Sequence, residues 1–254
     1  MTSAPASTLV LAVAMAAAAG LVGCFAVMRR MALASDAISH VALPGIGLAL
    51  ALRLHPLVGG IAALVVGTVL IWALENKTRL PVETITGVVF STALAVGAML
   101  TTGENLIEAL LGSSGALSLP EAVFGLSAAA AVVTFIVRAR HRLVIALISA
   151  DMASTIGIDV AGLDLLYLLA FAVTVALGLR YLGVLLMGSL IIIPAATARQ
   201  VANSLSAMLA IAVAVAVVST VLGIVAAERF HRESGPLIIL IAATLFFLGL
   251  LKRS

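Results

Sequence analysis

Asp36 and His40 are the two residues in this chain whose types and spacing best suit chemistry. They lie in Ser35-Asp36-Ala37-Ile38-Ser39-His40-Val41-Ala42-Leu43-Pro44-Gly45, inside a long apolar run. Four residues apart, they share one face of a helix. Pro44 has no N–H, so the carbonyl of His40 loses its usual helical donor. A carboxylate, an imidazole and that carbonyl then point into one region, which suits a divalent cation. Carboxylate plus imidazole is a borderline-hard set that fits Zn, Mn or Fe(II) better than Cu(I). Two side chains are too few to close a metal site. A second copy of the chain would supply another Asp36 and His40, so a homodimer with the pair at its axis is expected. By helix rise Asp36 lies about 9 Å from Arg30. A carboxylate at that depth usually faces a cavity or a partner. The plainer role for Asp36 is a hydrogen bond to a neighbouring helix or a pair with Arg29 or Arg30.

The elements that must position this pair are membrane helices. Of 254 residues, 63% are hydrophobic and 10% charged, and the mean hydropathy is +1.29. A soluble domain carries about 25% charged residues, so this chain cannot cover a soluble surface. Ala, Leu, Val and Gly dominate, and small residues let membrane helices approach closely. The net charge of +3 sits in short loops, where cations act as topology signals rather than as a nucleic-acid patch. Cys24 is the single cysteine, which excludes an internal disulfide and leaves the role of a small buried hydrophobe.

Spans need about 20 apolar residues. The expected ones are 7–28, 31–52, 57–74, 82–100, 120–137, 163–179, 183–198, 203–226 and 236–251. The first has no basic residue before it, so it is expected to be a true span rather than a cleaved signal peptide. Residues 102–119 are polar and Gly/Ser-rich, with a short amphipathic piece near 106–111, and are expected outside the membrane. Arg138-Ala139-Arg140-His141-Arg142 is expected to open a loop that runs to about Gly162. One set of loops holds Arg29, Arg30, Lys77, Arg79, Arg138, Arg140, Arg142, Arg199, Lys252 and Arg253, against Arg53, Arg180, Arg229 and Arg232 in the other. The positive-inside rule puts the first set in the cytoplasm, with the N-terminus outside and the C-terminus inside. The turn at 180–182 is the tightest joint in this scheme. Without internal repeats, residues 1–254 read as one transmembrane domain.

Other polar residues have plainer readings. Glu83, Glu121 and Asp164 start helices, where acids suit the dipole. His55, His141 and His231 lie in loops or at interfaces and are expected to be solvated. Ser35, Ser39, Ser91 and Thr92 could line a path, although back-bonding to a helical carbonyl is commoner. There is no phosphate-binding loop, no His-Glu-x-x-His, no Cys-x-x-Cys and no nucleophile–base pair, so enzymatic chemistry is not expected. Energy for uphill transport would come from a partner or an ion gradient.

Asp36–Gly45 closely resembles the signature segment of the permease subunits of zinc, manganese and iron ABC importers, and the preceding Arg29-Arg30 fits. A second match is Gly183-Val184-Leu185-Leu186-Met187-Gly188-Ser189-Leu190-Ile191-Ile192-Ile193-Pro194-Ala195-Ala196-Thr197-Ala198-Arg199. Ser234-Gly235-Pro236 is a third. The resemblance runs along essentially the whole chain. It implies a homodimeric permease in a bacterial inner membrane, seated on two cytoplasmic ATPase subunits and fed by an extracytoplasmic metal-binding protein. It also implies a metal site at Asp36 and His40. The family's coupling segment reads Asp-Pro-Glu-x-Ala-x-x-x-Gly. Aligning Ala153 and Gly157 puts Asp151 at the Glu, Ala150 at the Pro and Ser149 at the first Asp, so the match is partial. The docking surface is expected at Arg138–Arg142 and residues 149–162. Pro194 cannot donate to the carbonyl of Leu190, which suggests a kink for gating or simply for packing.

The expected protein is an all-α permease of about nine spans that imports Zn2+, or else Mn2+ or Fe2+, by alternating access. The alternatives are a proton-coupled secondary transporter that uses Asp36 and His40 as a relay, and a membrane scaffold that transports nothing.

Overall fold

A computed structural model of the chain describes residues 6–31, 37–78, 80–100, 119–179 and 183–251. The described residues are helical with short joints. The helices are α1 (Ala6–Met28), α2 (Ala42–Ala51), α3 (Pro56–Lys77), α4 (Val82–Leu100), α5 (Leu119–Ile148), α6 (Ala150–Thr155), α7 (Val160–Leu179), α8 (Gly183–Val201), α9 (Leu205–Phe230) and α10 (Ser234–Leu251). Seven of them (α1, α3, α4, α5, α7, α9 and α10) are long and apolar enough to cross a membrane, and Ala37–Ala51 forms a shorter apolar helix. The protein is therefore an all-α, polytopic membrane protein. Each expected span has its helix, although residues 102–118, the turn at 180–182 and Asp36 itself lie outside the described residues.

Two expectations need correction. The span 31–52 is not one regular helix where it is described. A helical turn over residues 37–40 is interrupted at Val41, whose N–H bonds back to the Ile38 carbonyl at 3.0 Å. Pro44 has no N–H to give the His40 carbonyl, so the ladder skips a bond there while Val41 keeps a helical backbone (φ −63°, ψ −18°). The second correction concerns Arg138–Arg142, which form no loop. α5 runs straight through them to Ile148. Arginine and alanine favour helix, no Gly or Pro intervenes, and buried Ile136, Ala139 and Leu143 continue the helix's inner stripe past the charges.

α1 is the centre of the bundle and packs against α5, α7, α8 and α9. Its Ala16, Ala18, Ala19, Val22, Cys24 and Phe25 are fully buried. A Cβ on Gly23 would run into the Ile191 carbonyl of α8, and one on Gly20 would lie 2.9 Å from the Ala212 carbonyl of α9. Backbones this close need small residues, which is why this helix is so rich in Ala and Gly. α2 packs on α3 and α4. There Gly45 and Gly59 meet backbone to backbone, since a Cβ on either would strike the other's carbonyl oxygen.

Several helices end without a glycine. Arg30, Arg53 and His231 take the left-handed conformation (φ 59°, 57° and 52°) at the ends of α1, α2 and α9. In each case the next N–H reaches back: Met31 to Ala26, Leu54 to Ala49 and Arg232 to Ala227. These are Schellman ends with a basic residue where glycine is usual.

Candidate metal-binding segment and its supports

The segment that carries His40 is held by glycines of its neighbours. A Cβ on Gly67 of α3 would collide with Val41, and one on Gly97 of α4 would lie 3.1 Å from Leu43 Cβ and 3.2 Å from the Pro44 nitrogen. With the Gly45–Gly59 crossing, α3 and α4 grip the chain on both sides of the break at Val41. Ile38, Ser39 and Val41 are buried, while His40 is half-buried. Its ring meets the edge of Phe90 on α4, with centroids 5.6 Å apart and an interplanar angle of 61°. An aromatic wall of this kind restricts the imidazole to few orientations.

Two buried polar residues on the helices that flank this segment gave no sequence signal. Thr86 stands one turn before Phe90 on α4, and Thr68 follows Gly67 on α3. Both are 1% exposed, and their hydroxyls make no hydrogen bond among the described residues. A buried hydroxyl normally finds a partner, and these two have none among the described residues. Their signal was faint because threonine is ordinary in membrane helices. Thr92, by contrast, bonds back to Val88 O at 2.9 Å, as expected, and Ser91 is exposed. Among the described residues no three of His, Cys, Asp and Glu come together as metal ligands. His55, His141 and His231 are exposed, and His141 takes a hydrogen bond from Arg140 Nε at 3.1 Å.

One end of the bundle carries a polar network. Asp164, expected only as a helix-start acid, pairs with Arg29. The guanidinium of Arg29 also lies over the Tyr167 ring, 4.6 Å from its centroid, and the Tyr167 hydroxyl donates to Val22 O at 3.1 Å. Trp72 Nε1 donates to Ala161 O at 2.9 Å, and Arg199 donates to Val27 O at 2.9 Å. The ends of α1, α3 and α8 and the start of α7 therefore share one face. This is the grouping of Arg29, Lys77 and Arg199 that the cation count required.

On this same face lies α6. Ser149 caps it, its hydroxyl accepting from Met152 N–H at 3.2 Å. Gly157, at φ 82°, ends it with Ile158 N–H bonded to Ala153 O at 3.0 Å. Here the glycine is required by its backbone. Ala153 is fully buried and seats the helix on α5 and α7. Asp151 is exposed, as are Met152 and, at the flanks, Ile148 and Ile156. In α8, Pro194 is buried within a continuous helix, with Thr197 Oγ1 donating to Ile193 O at 2.8 Å beside it.

The model of the ABC 3 transport family matches residues 3–253. The chain belongs to the ABC 3 transport family. It is a permease of that family's metal-importer type, a transport protein rather than an enzyme, and its multi-pass architecture is consistent with the bacterial inner membrane. The high-affinity zinc uptake system membrane protein ZnuB of Haemophilus influenzae is 28% identical over 238 residues, covering 91% of this chain and 90% of that one. The manganese transport system membrane protein MntC of Halalkalibacterium halodurans is 30% identical over 235 residues, covering 91% and 80%. Among solved structures, PsaBC from Streptococcus pneumoniae in complex with Fab superposes with a TM-score of 0.81 at 28% identity, covering 95% of this chain and 88% of that one.

Proposed function

We propose that this ABC 3 permease imports a divalent transition metal, Zn2+ first and otherwise Mn2+ or Fe2+, through a site built from Asp36 and His40 of two copies. The observation that carries this reading is the placing of His40. Its imidazole sits at a helix break, half-buried, braced by Phe90, with a carboxylate four residues earlier in the chain. The zinc and manganese relatives support the choice of cargo. Four ligands from two copies would hold such an ion well enough to select it.

Energy would come from ATP hydrolysis on a separate cytoplasmic subunit, with an extracytoplasmic metal-binding protein delivering the ion. α6 fits the docking role, with Ala153 as its anchor, Gly157 as its stop and Ile148, Met152, Asp151 and Ile156 presented outward. A push on α6 passes to α7 and, through Asp164 and Arg29, to α1. Pro194 would let α8 flex during the cycle. The whole chain acts as one permease domain.

Reconstituted liposomes test this. Metal uptake that requires ATP and the separate ATPase supports the proposal. Uptake driven by a pH gradient alone would sink it. Asp36→Ala and His40→Ala should each abolish uptake while the complex still assembles, and normal uptake in either variant would remove the site assignment.

A further inference from the structure

The groove between α5 and α7 is a second candidate site, unrelated to the metal path. It is open, with a volume of about 770 Å³, and is lined by Ala131, Thr134, Arg138 and Arg142 of α5 and by Leu163 and Leu166 of α7, among others. Arg138 and Arg142 are one helical turn apart and lie on the groove side, while Arg140 is turned toward His141. Both groove arginines are exposed and make no ion pair among the described residues. Asp164, their nearest acid in sequence on α7, is held by Arg29.

Depth identifies the ligand. α5 starts with Glu121 in its first turn. By helical rise Arg138 lies about 26 Å and Arg142 about 32 Å further along, which is about one hydrocarbon thickness. The two guanidiniums thus reach the headgroup level, and the groove's small and apolar residues continue upward from them to acyl-chain depth. We infer that this groove binds an anionic phospholipid, with its phosphate between Arg138 and Arg142 and one acyl chain along Ala131 and Leu166. A basic pocket between helices at the inner face suits such a headgroup. A cytoplasmic protein could not enter the apolar upper part. A second copy related by a two-fold axis on this face would bring the same arginines toward their own equivalents.

The test uses the full chain purified in mild detergent, with native mass spectrometry of bound lipid. Phosphatidylglycerol and phosphatidylcholine with identical acyl chains are offered together. Wild-type protein should retain phosphatidylglycerol preferentially, and Arg138→Gln with Arg142→Gln should cut that preference by roughly thirtyfold. Lysine at both positions should keep most of it, and Arg140→Gln should leave it unchanged. If the double glutamine variant does not fold, Ala131→Leu, which fills the groove without touching the charge, should weaken lipid retention instead. The inference fails if wild type shows no preference, or if the preference survives in the variants. It also fails if glycerol 3-phosphate at equal concentration displaces the lipid, because the site would then take the free anion. Loss of self-association in the glutamine variant with lipid retention intact would assign the face to a second copy and overturn the inference too.

Discussion

Arg29 at the end of α1 is joined to Asp164 near the start of α7. The two side chains are 12% and 22% exposed, so the pair is largely shielded from solvent. It joins the helix that precedes the metal-binding segment to the helix that follows α6. A buried pair broken on one side leaves a charge without compensation, which costs about 3 kcal/mol or more. Asp164→Ala should therefore lower the unfolding temperature in detergent clearly. Arg29→Met combined with Asp164→Leu should recover part of the loss, because neither member of the pair is then left as a lone charge. A single variant as stable as wild type would show that the pair contributes nothing.

The crossing of α2 and α3 gives a sharper contrast. Gly45→Ala forces a Cβ against the Gly59 carbonyl oxygen, and overpacking of this kind costs about 1–3 kcal/mol. Gly87→Ala on α4 meets nothing within 4 Å and should stabilise by up to about 1 kcal/mol through helix propensity. Chemical unfolding of the two variants side by side should move in opposite directions.

Metal uptake should fall as the pH on the outer side is lowered. At the proposed site protons would compete with the metal for the carboxylate and imidazole, since ligands of this kind bind metal deprotonated. Initial uptake rates in proteoliposomes across a pH series, at saturating ATP, are the measurement. A rate that holds constant while the ATPase remains active would exclude His40 as a ligand.

At α6, Gly157→Ala places a side chain at φ 82°, a conformation that costs about 1 kcal/mol or more for an L residue. Helix α6 should then lose its stop, and uptake should drop with little change in overall stability. Replacing Ile148, Met152 and Ile156 together by serine should weaken co-purification of the ATPase subunit while metal still binds the permease. Undiminished co-purification would place the docking surface elsewhere.

The helical bundle was legible because a membrane demands long apolar runs. Val82–Leu100 came out with the expected ends since Pro81 marks its start. The run Arg138–Arg142 reads as a break because three charges fall within five residues. The helix persists because its buried stripe of Ile136, Ala139 and Leu143 continues past the arginines, whose long stems carry the charge outward. Helix ends at Arg30, Arg53 and His231 were hidden for a related reason: the left-handed position held a basic residue, and no glycine announced it. Asp164 gave away its place at a helix start but not its partner, which lies 135 residues earlier in the chain. His40 was legible from spacing alone. Phe90 was not, because only the packing of α4 against this segment brings the two rings together.

The glycine crossing also governs what can move. Side chains at an ordinary helix contact change rotamer and let helices slide. Gly45 and Gly59 offer no side chain to adjust, so α2 and α3 behave as one lever arm. Any rocking of that arm must be absorbed at its ends, and Val41, where the helix turn is irregular, is the pivot nearest the proposed metal site. His40 stands next to that pivot. A rotation of a few degrees there would re-aim the imidazole, and it would have to slide Val41 across Gly67 of α3.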